Sequence, residues 1–336
     1  MDNNPKKNVL VTLADQNFIP QAKQLFSSAY WNGGWQGDFL LLAHEIPKED
    51  LRWFREKGII VFPCRALTSE TFSDPTHRSA ALSKFYLFTP FFKQWKTVVY
   101  LDADIIVRAS LEELVHIRAS FAAGEAGGFT LQDEFLEPDS ENQQVLREVE
   151  AHYSMEKTAL NSGVLAFKTK IIKEGVFDKL LALYRYFDDV DRCGEETVLN
   201  LFFYKKWKKL PIYENAFPFY LYRTYGIPYE KIDAGILHAV GEDINKPWLT
   251  TSVFYQEWNN NLERADAMNL SMRQRPAKTW TKRDWKRYVR RFKTTESPFL
   301  SQRPFLSSID RIIGKIGLGV KKALPSFYEK IRIKHE

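Results

Sequence analysis

Four short apolar runs within the first 101 residues alternate with helix-period segments, and this alternation restricts the possible folds more than any other feature. Asn8 to Leu13 (NVLVTL), Asp38 to Ala43 (DFLLLA), Gly58 to Phe62 (GIIVF) and Thr97 to Leu101 (TVVYL) carry few polar interruptions. Strands buried on both faces read this way, because a parallel sheet is covered by its own crossover helices. From Ile19 onward Ala22, Leu25, Phe26 and Tyr30 fall on one helical face, Lys48 to Lys57 is polar and helical, and a helix is expected from about Ala80 to Phe92. The expected class is α/β, a Rossmann-like, mostly parallel sheet flanked by helices. Later strands are expected at Gly127 to Leu131, Ser162 to Phe167 and Ile236 to Val240, with helices at Lys170 to Phe187 and Glu195 to Tyr204.

The charge is divided unevenly. Residues 271–336 hold 18 Lys+Arg against 5 Asp+Glu, and the rest of the 336-residue chain holds 30 against 37, so an acidic body joins a basic tail. The composition shifts after about Asn260, which divides the chain into residues 1–260 and an extension, 261–336. The extension carries two amphipathic stripes, Trp285, Tyr288, Val289 and Phe292, then Phe305, Ile309, Ile312, Ile316, Val320 and Leu324. Such a tail fits an anionic membrane interface, or packs one face on the body, or meets nucleic acid; no nucleic-acid motif is recognisable, so membrane ranks first. No run approaches 18 apolar residues, and Met1 to Lys7 leads into a strand with no signal-peptide core, which argues for the cytoplasm. Cys64 and Cys193 are too few for a disulfide framework.

Asp102 and Asp104 stand where the run Thr97 to Leu101 ends. In open α/β sheets ligands bind beyond the carboxyl ends of strands, and alternate residues share a face, so both carboxylates can reach one cation. Two hard oxygens suit Mg²⁺ or Mn²⁺ with phosphate completing the coordination. Acidic residues also simply terminate strands. Haloacid-dehalogenase-type phosphatases share the Asp-x-Asp, with Asp188-Asp189-Val190-Asp191 as the later acidic pair. Three strands precede Asp102, however, and Asp188 follows a helix.

Around this pair the sequence resembles glycosyltransferase family 8, the glycogenin-like and lipopolysaccharide galactosyltransferase-like family, over roughly residues 8–250. Leu13-Ala14-Asp15-Gln16-Asn17-Phe18 is similar to its nucleotide-binding first loop; by that resemblance Asp15 accepts from uracil, Phe18 stacks near the base and Asn17 helps hold the nucleotide. Lys84 stands where the family has a donor-binding cation, and Asp133 where it often has a sugar-contacting Asp. Asn161-Ser162-Gly163 matches a segment whose Asn lies beside the donor sugar. Gly194-Glu195-Glu196-Thr197 is similar to the family's Asp-Gln-Asp segment but replaces all three residues. Glu196 then stabilises an oxocarbenium-like transition state, acts as a nucleophile, or marks a different donor; both glutamates are also ordinary first-turn helix acids. His238-Ala239-Val240-Gly241 and Lys246-Pro247-Trp248 are similar to the family's last motif, with two extra residues before the lysine.

The resemblance implies a GT-A fold over residues 1–260 and a retaining transfer of a hexose from a UDP-sugar to a saccharide or lipid-linked acceptor. It implies Mn²⁺ or Mg²⁺ held by Asp102, Asp104 and His238, with Gly241 and Lys246 near the diphosphate. The tail then sets the enzyme at the inner face of the membrane. A non-catalytic nucleotide-sugar or glycan-binding protein on the same fold is the alternative.

Overall fold

All four N-terminal apolar runs are strands in the computed structural model, which describes residues 6–68, 75–136, 143–240 and 246–295. The chain runs β1 (Lys6–Ala14), α1 (Ile19–Trp31), β2 (Asp38–His44), α2 (Arg52–Glu56), β3 (Ile60–Cys64), α3 (Pro75–Leu82), β4 (Trp95–Leu101), β5 (Ile105–Val107) and α4 (Glu112–Val115). It continues with β6 (Phe121–Thr130), α5 (Gln143–His152), β7 (Thr158–Lys168), α6 (Val176–Phe187), α7 (Glu195–Phe202) and β8 (Lys208–Lys209). The last elements are α8 (Pro218–Tyr225), β9 (Ile236–His238), α9 (Tyr255–Glu263) and α10 (Lys282–Thr295).

The main sheet has the order β3-β2-β1-β4-β7-β6-β8. β1 lies parallel to β2 and β4, and β2 to β3; β7 runs antiparallel to β4 and β6. Period-2 alternation sends successive side chains into two layers. Leu10 of β1 joins Leu25 and Phe26 of α1 on one side, while Val9 and Val11 meet Phe85, Phe88 and Leu180 on the other. With both faces covered, the middle strands carry almost no polar residue.

A second, two-stranded sheet pairs β5 with β9 antiparallel, Ile105 opposite His238. The site depends on this register. It carries residue 238 to the position beside residue 104.

The helix expected over Ala80 to Phe92 ends early. α3 stops at Leu82 and two 3-10 turns follow, Ser83–Phe88 and Pro90–Gln94. Pro90 forces Thr89 into extended backbone (φ −80°, ψ 158°), which no helix can continue through. The helix expected from Lys170 starts at Val176, after Gly175 takes a left-handed φ of 71°.

α9 runs through residue 260, and the chain beyond it returns to the body. The Tyr30 hydroxyl donates to the Asn269 carbonyl, and the Ala277 amide to the Asn32 carbonyl. The first tail stripe is covered: Trp285, Tyr288, Val289 and Phe292 of α10 pack with Trp280, Tyr213 and Leu221 in a third core cluster. The basic residues Lys282, Arg283, Lys286 and Arg287 stay exposed on the opposite face. The second stripe, Phe305 to Leu324, lies outside the described residues. Among the described residues no helix is long and apolar enough to cross a membrane.

Because Trp285 is buried against the body, Trp285→Ala is expected to cost about 3 kcal/mol of stability. Urea denaturation followed by far-UV circular dichroism measures this, and an unchanged midpoint would separate α10 from the folded unit.

Candidate active site

The carboxyl ends of β1 and β4 open onto a cleft of about 420 Å³. Its wall includes Leu13, Asp15 and Phe18 after β1, Lys84 from a 3-10 turn, Asp102 to Asp104 after β4, Asn161 and Ser162 of β7, and residues 192–196 leading into α7. Five segments far apart in sequence thus meet at one end of the sheet.

Asp102, Asp104 and His238 offer ligand atoms that all lie within 4.8 Å of one another. His238 Nε2 is 3.1 Å from Asp104 Oδ1 and 3.9 Å from Asp102 Oδ2. The tautomer of the imidazole follows from its neighbours. The Gly163 amide can only donate, so Asn161 Oδ1 accepts from it at 3.1 Å and Asn161 Nδ2 donates to Glu196 Oε2 at 3.0 Å. Asn215 Nδ2 therefore donates to Asn161 Oδ1, and Asn215 Oδ1 accepts from His238 Nδ1 at 2.8 Å. With its proton on Nδ1, a neutral His238 presents the lone pair of Nε2 to Asp104 Oδ1, a buried oxygen with no hydrogen-bond partner. In that form two electron-pair donors face each other at 3.1 Å, a gap closed either by a second proton on the imidazole or by a metal ion. Two carboxylates and one neutral imidazole fit a divalent ion of the Mn²⁺ or Mg²⁺ type.

Glycine is obligatory twice in this arrangement. A Cβ on Gly163 would lie 2.1 Å from His238 Cε1 and 2.7 Å from Asp102 Oδ2, and one on Gly124 would lie 1.9 Å from Asn215 Nδ2. The close approach of β6 and β7 to the ligands requires bare backbone.

Two lysines offset the acid. Lys84 Nζ reaches Asp102 Oδ1 at 3.0 Å and Glu195 Oε1 at 2.7 Å, and donates to Ser162 Oγ at 3.0 Å. Burial alone would strip the proton from Lys84, but the Asp102 and Glu195 carboxylates outweigh it and hold the ammonium charged. Lys246 Nζ sits 2.8 Å from Asp104 Oδ2. Burial opposes charge on Asp104, yet Lys246, together with His238 when a second proton takes the place of a metal ion, keeps its carboxyl well below the usual range. The Tyr100 hydroxyl donates to Asp102 Oδ1 at 2.6 Å.

Glu195 and Glu196 head α7, where the helix N-terminus favours acids by about 0.3–1 kcal/mol. Gly194, at φ 64°, turns the chain into that helix, and Asp191 Oδ1 accepts the amides of Cys193 and Gly194. Glu196 Oε2 is anchored by the Ser162 amide at 2.7 Å as well as by Asn161. Burial raises the Glu196 carboxyl to about 7; the Ser162 amide opposes this shift and the neighbouring Glu195 adds to it. Behind it Glu134 is buried too, and burial with the Glu196 and Asp191 charges pushes its carboxyl far up.

Most of the residues expected from sequence come together here: Leu13, Asp15, Phe18, Lys84, Asp102, Asp104, Asn161, Glu195 and Glu196 line the cleft, with His238 beneath them. Asp15 Oδ1 also accepts the amides of Asn17 and Phe18, as a turn-capping acid does. Asn17 is exposed and does not line the cleft. Phe18 meets Trp248 edge-on at 5.8 Å, joining the first loop to the last motif. Asp133 is not brought to the cleft: its Oδ2 caps Thr130 in an exposed capping box, and Glu134 turns inward instead. Lys246 engages Asp104 rather than the open cleft, and Gly241 lies outside the described residues. Asn215, Tyr100 and Arg192 were not anticipated. Tyr100 stands two residues before Asp102 on the same strand face, a spacing that could have found it, whereas nothing near Asn215 signals its role.

Asn215→Ala leaves His238 Nδ1 without its acceptor and frees the ring to rotate. Isothermal titration with Mn²⁺ is expected to register a loss of about 10–100-fold in affinity. An affinity equal to wild type would separate Asn215 from the ligand set. Glu196 supplies a test in pH. A buried acid whose pKa rises from 4.5 to about 7 loses folded-state stability as pH climbs through that window, since the unfolded chain ionises first. Glu196→Gln keeps the acceptor oxygen and removes the titration, so the variant's stability advantage should widen between pH 4.5 and 7 in parallel denaturation curves.

The sequence matches glycosyl transferase family 8 over residues 9–252. No curated protein matches it in sequence. In fold the chain is similar to the galactosyltransferase LgtC solved with donor and acceptor sugar analogs, at 16% identity and TM-score 0.57, over 83% of this chain and 99% of that one. It is also similar to the bifunctional enzyme WbbM, at 18% identity and TM-score 0.56 over 77% of this chain. The match spans half of WbbM, 50% of its length. The glycosyltransferase GlyE of Streptococcus pneumoniae TIGR4 aligns at 22% identity and TM-score 0.52, over 80% of this chain and 62% of that one. These likenesses are of fold, a GT-A type sheet flanked by helices. With well over half of its length matched to one family, the chain belongs to glycosyl transferase family 8.

Proposed function

We propose that the chain is a retaining, divalent-metal-dependent glycosyltransferase that moves a hexose from a UDP-sugar to a saccharide or lipid-linked saccharide acceptor. The observation that carries this reading is the facing pair Asp104 Oδ1 and His238 Nε2, 3.1 Å apart at a strand end beside a cleft. Asp102, Asp104 and His238 would hold Mn²⁺ or Mg²⁺, which supplies Lewis-acid stabilisation of the diphosphate leaving group when bound. Asp15 and Phe18 offer an acceptor and a ring for the base at the β1 end. Lys84 supplies a buried positive charge within reach of donor oxygens, and Lys246 a second one at Asp104. Asn161 and the Ser162 amide fix Oε2 of Glu196, and the residue lines the cleft. An ionised Glu196 there favours positive charge developing on the departing sugar.

The same reading keeps an anionic membrane as partner. With the apolar face of α10 covered, attraction would come from exposed Lys282, Arg283, Lys286 and Arg287, at about 1 kcal/mol per residue near the surface, together with residues 296–336.

The test is UDP release from a panel of UDP-sugars, with Mn²⁺ and with EDTA. Release is expected with one sugar, lost in EDTA and in Asp104→Ala, and lowered roughly 10²-fold in kcat by Glu196→Ala. Metal-independent release, or full turnover in Asp104→Ala, would overturn the metal assignment. Metal-dependent UDP binding without turnover on any donor or acceptor would favour the non-catalytic alternative.

A further inference from the structure

The turn after α7 and the edge strand β8 carry Lys205-Lys206-Trp207-Lys208-Lys209, a motif that the donor cleft does not use. All of these except Lys206 wall a second cleft of about 420 Å³. Cations converge on it from three elements: Lys157 from the turn before β7, Lys205 from the turn after α7, and Lys208 and Lys209 from β8. Glu125 pairs with Lys209, so the remaining three lysines stand in excess of acid among the residues lining the cleft. Trp207, half-buried, packs its inner side against the core beneath β6 and lines the cleft with Tyr204.

Lysines on an edge strand discourage pairing with another chain, which accounts for Lys208 and Lys209. It does not account for Lys157, nor for Lys205. Lys205 holds a left-handed φ of 58°, a conformation that glycine adopts without cost and that strains an L side chain by about 1–2 kcal/mol. A lysine kept where glycine is favoured points to a use for its ammonium, which lies 5.0 Å from the Tyr204 ring at the cleft wall.

We propose that this cleft binds an anionic saccharide. Carboxylate or phosphate groups would meet Lys157, Lys205 and Lys208, and a sugar ring would rest on Trp207. Ammonium groups recognise such anions as point charges, and an indole face suits the apolar side of a pyranose. β7 links this site to the donor cleft: Thr158 lines the first and Asn161 the second, three residues or about 10 Å along the strand. The proposal concerns binding alone and stands whether or not the donor cleft transfers sugar.

Calorimetric titration of the full chain tests it with three probes: tetragalacturonate, maltotetraose of the same length without charge, and inorganic phosphate. Tetragalacturonate is expected to bind more tightly than either of the others. Lys205→Gly removes the cation while relieving the backbone, so its melting temperature should hold or rise. Its affinity for tetragalacturonate should fall about fivefold or more, the loss of one charge-assisted contact. Lys205→Gly combined with Lys208→Ala should weaken binding further. The charge-matched pair Lys282→Ala and Lys286→Ala on α10 should leave it within about twofold, because neither residue lines the cleft. Equal loss in the α10 pair would assign the binding to the tail and overturn the site. Equal affinity for phosphate would reduce the cleft to a bare anion site and overturn the saccharide assignment. No binding of tetragalacturonate, or unchanged binding in Lys205→Gly with Lys208→Ala, would overturn the proposal outright.

Discussion

Like charge crowded at one end of a sheet is the constraint around which this molecule is organised. Asp102, Asp104, Glu195 and Glu196 meet at the cleft, with Glu134 and Asp191 buried behind them. Two carboxylates 4 Å apart repel by about 4 kcal/mol at an effective dielectric of 20, so each must be matched by a cation, an amide or a proton. Lys84 spans Asp102 and Glu195, Lys246 takes Asp104, and the Ser162 amide with Asn161 takes Glu196. What that set leaves over is the oxygen of Asp104 facing His238. The surplus of electron pairs at that point is the physical reason for reading a cation site there.

The backbone makes the crowding possible. Pairing of Ile105 with His238 spans 133 positions of sequence and fixes the imidazole beside the acids. Gly163 and Gly124 then let two strands approach more closely than any side chain would permit. Neither glycine sits in a turn; both serve proximity. The α10 helix contributes from the far side by closing the cluster that contains Ile106 of β5 and Leu237 of β9, close in sequence to Asp104 and His238.

Elements whose own residues decide their conformation were legible in the sequence. β1, β2 and β4 are dense in Val and Leu, and their ends fell within two residues of expectation. β6 was visible only over its last residues, because Ala122-Ala123-Gly124 has no β-branched signal and becomes a strand by pairing with β7. The Asp102, Asp104 and His238 group was legible as two separate motifs, and only the β5–β9 register joins them. Asp133 and Glu134 show the opposite case. Both are acids on one turn, and which one faces inward depends on the capping bonds of Thr130, a choice set by local geometry below the resolution of composition or spacing. Asn215 carries no local signature because its role arises wholly from neighbours distant in sequence.

The directed chain from Glu196 through Asn161 and Asn215 to His238 has a bearing on which sequences can diverge from one another. Every link has a fixed polarity, since the Gly163 and Ser162 amides can only donate. Position 196 must therefore present an acceptor, a requirement that glutamate and glutamine satisfy equally and that lysine or arginine cannot. A lineage can exchange acid for amide there, altering charge in the cleft, without disturbing the imidazole at the other end. The scaffold thereby leaves one position open to chemical drift while holding the His238 imidazole in place.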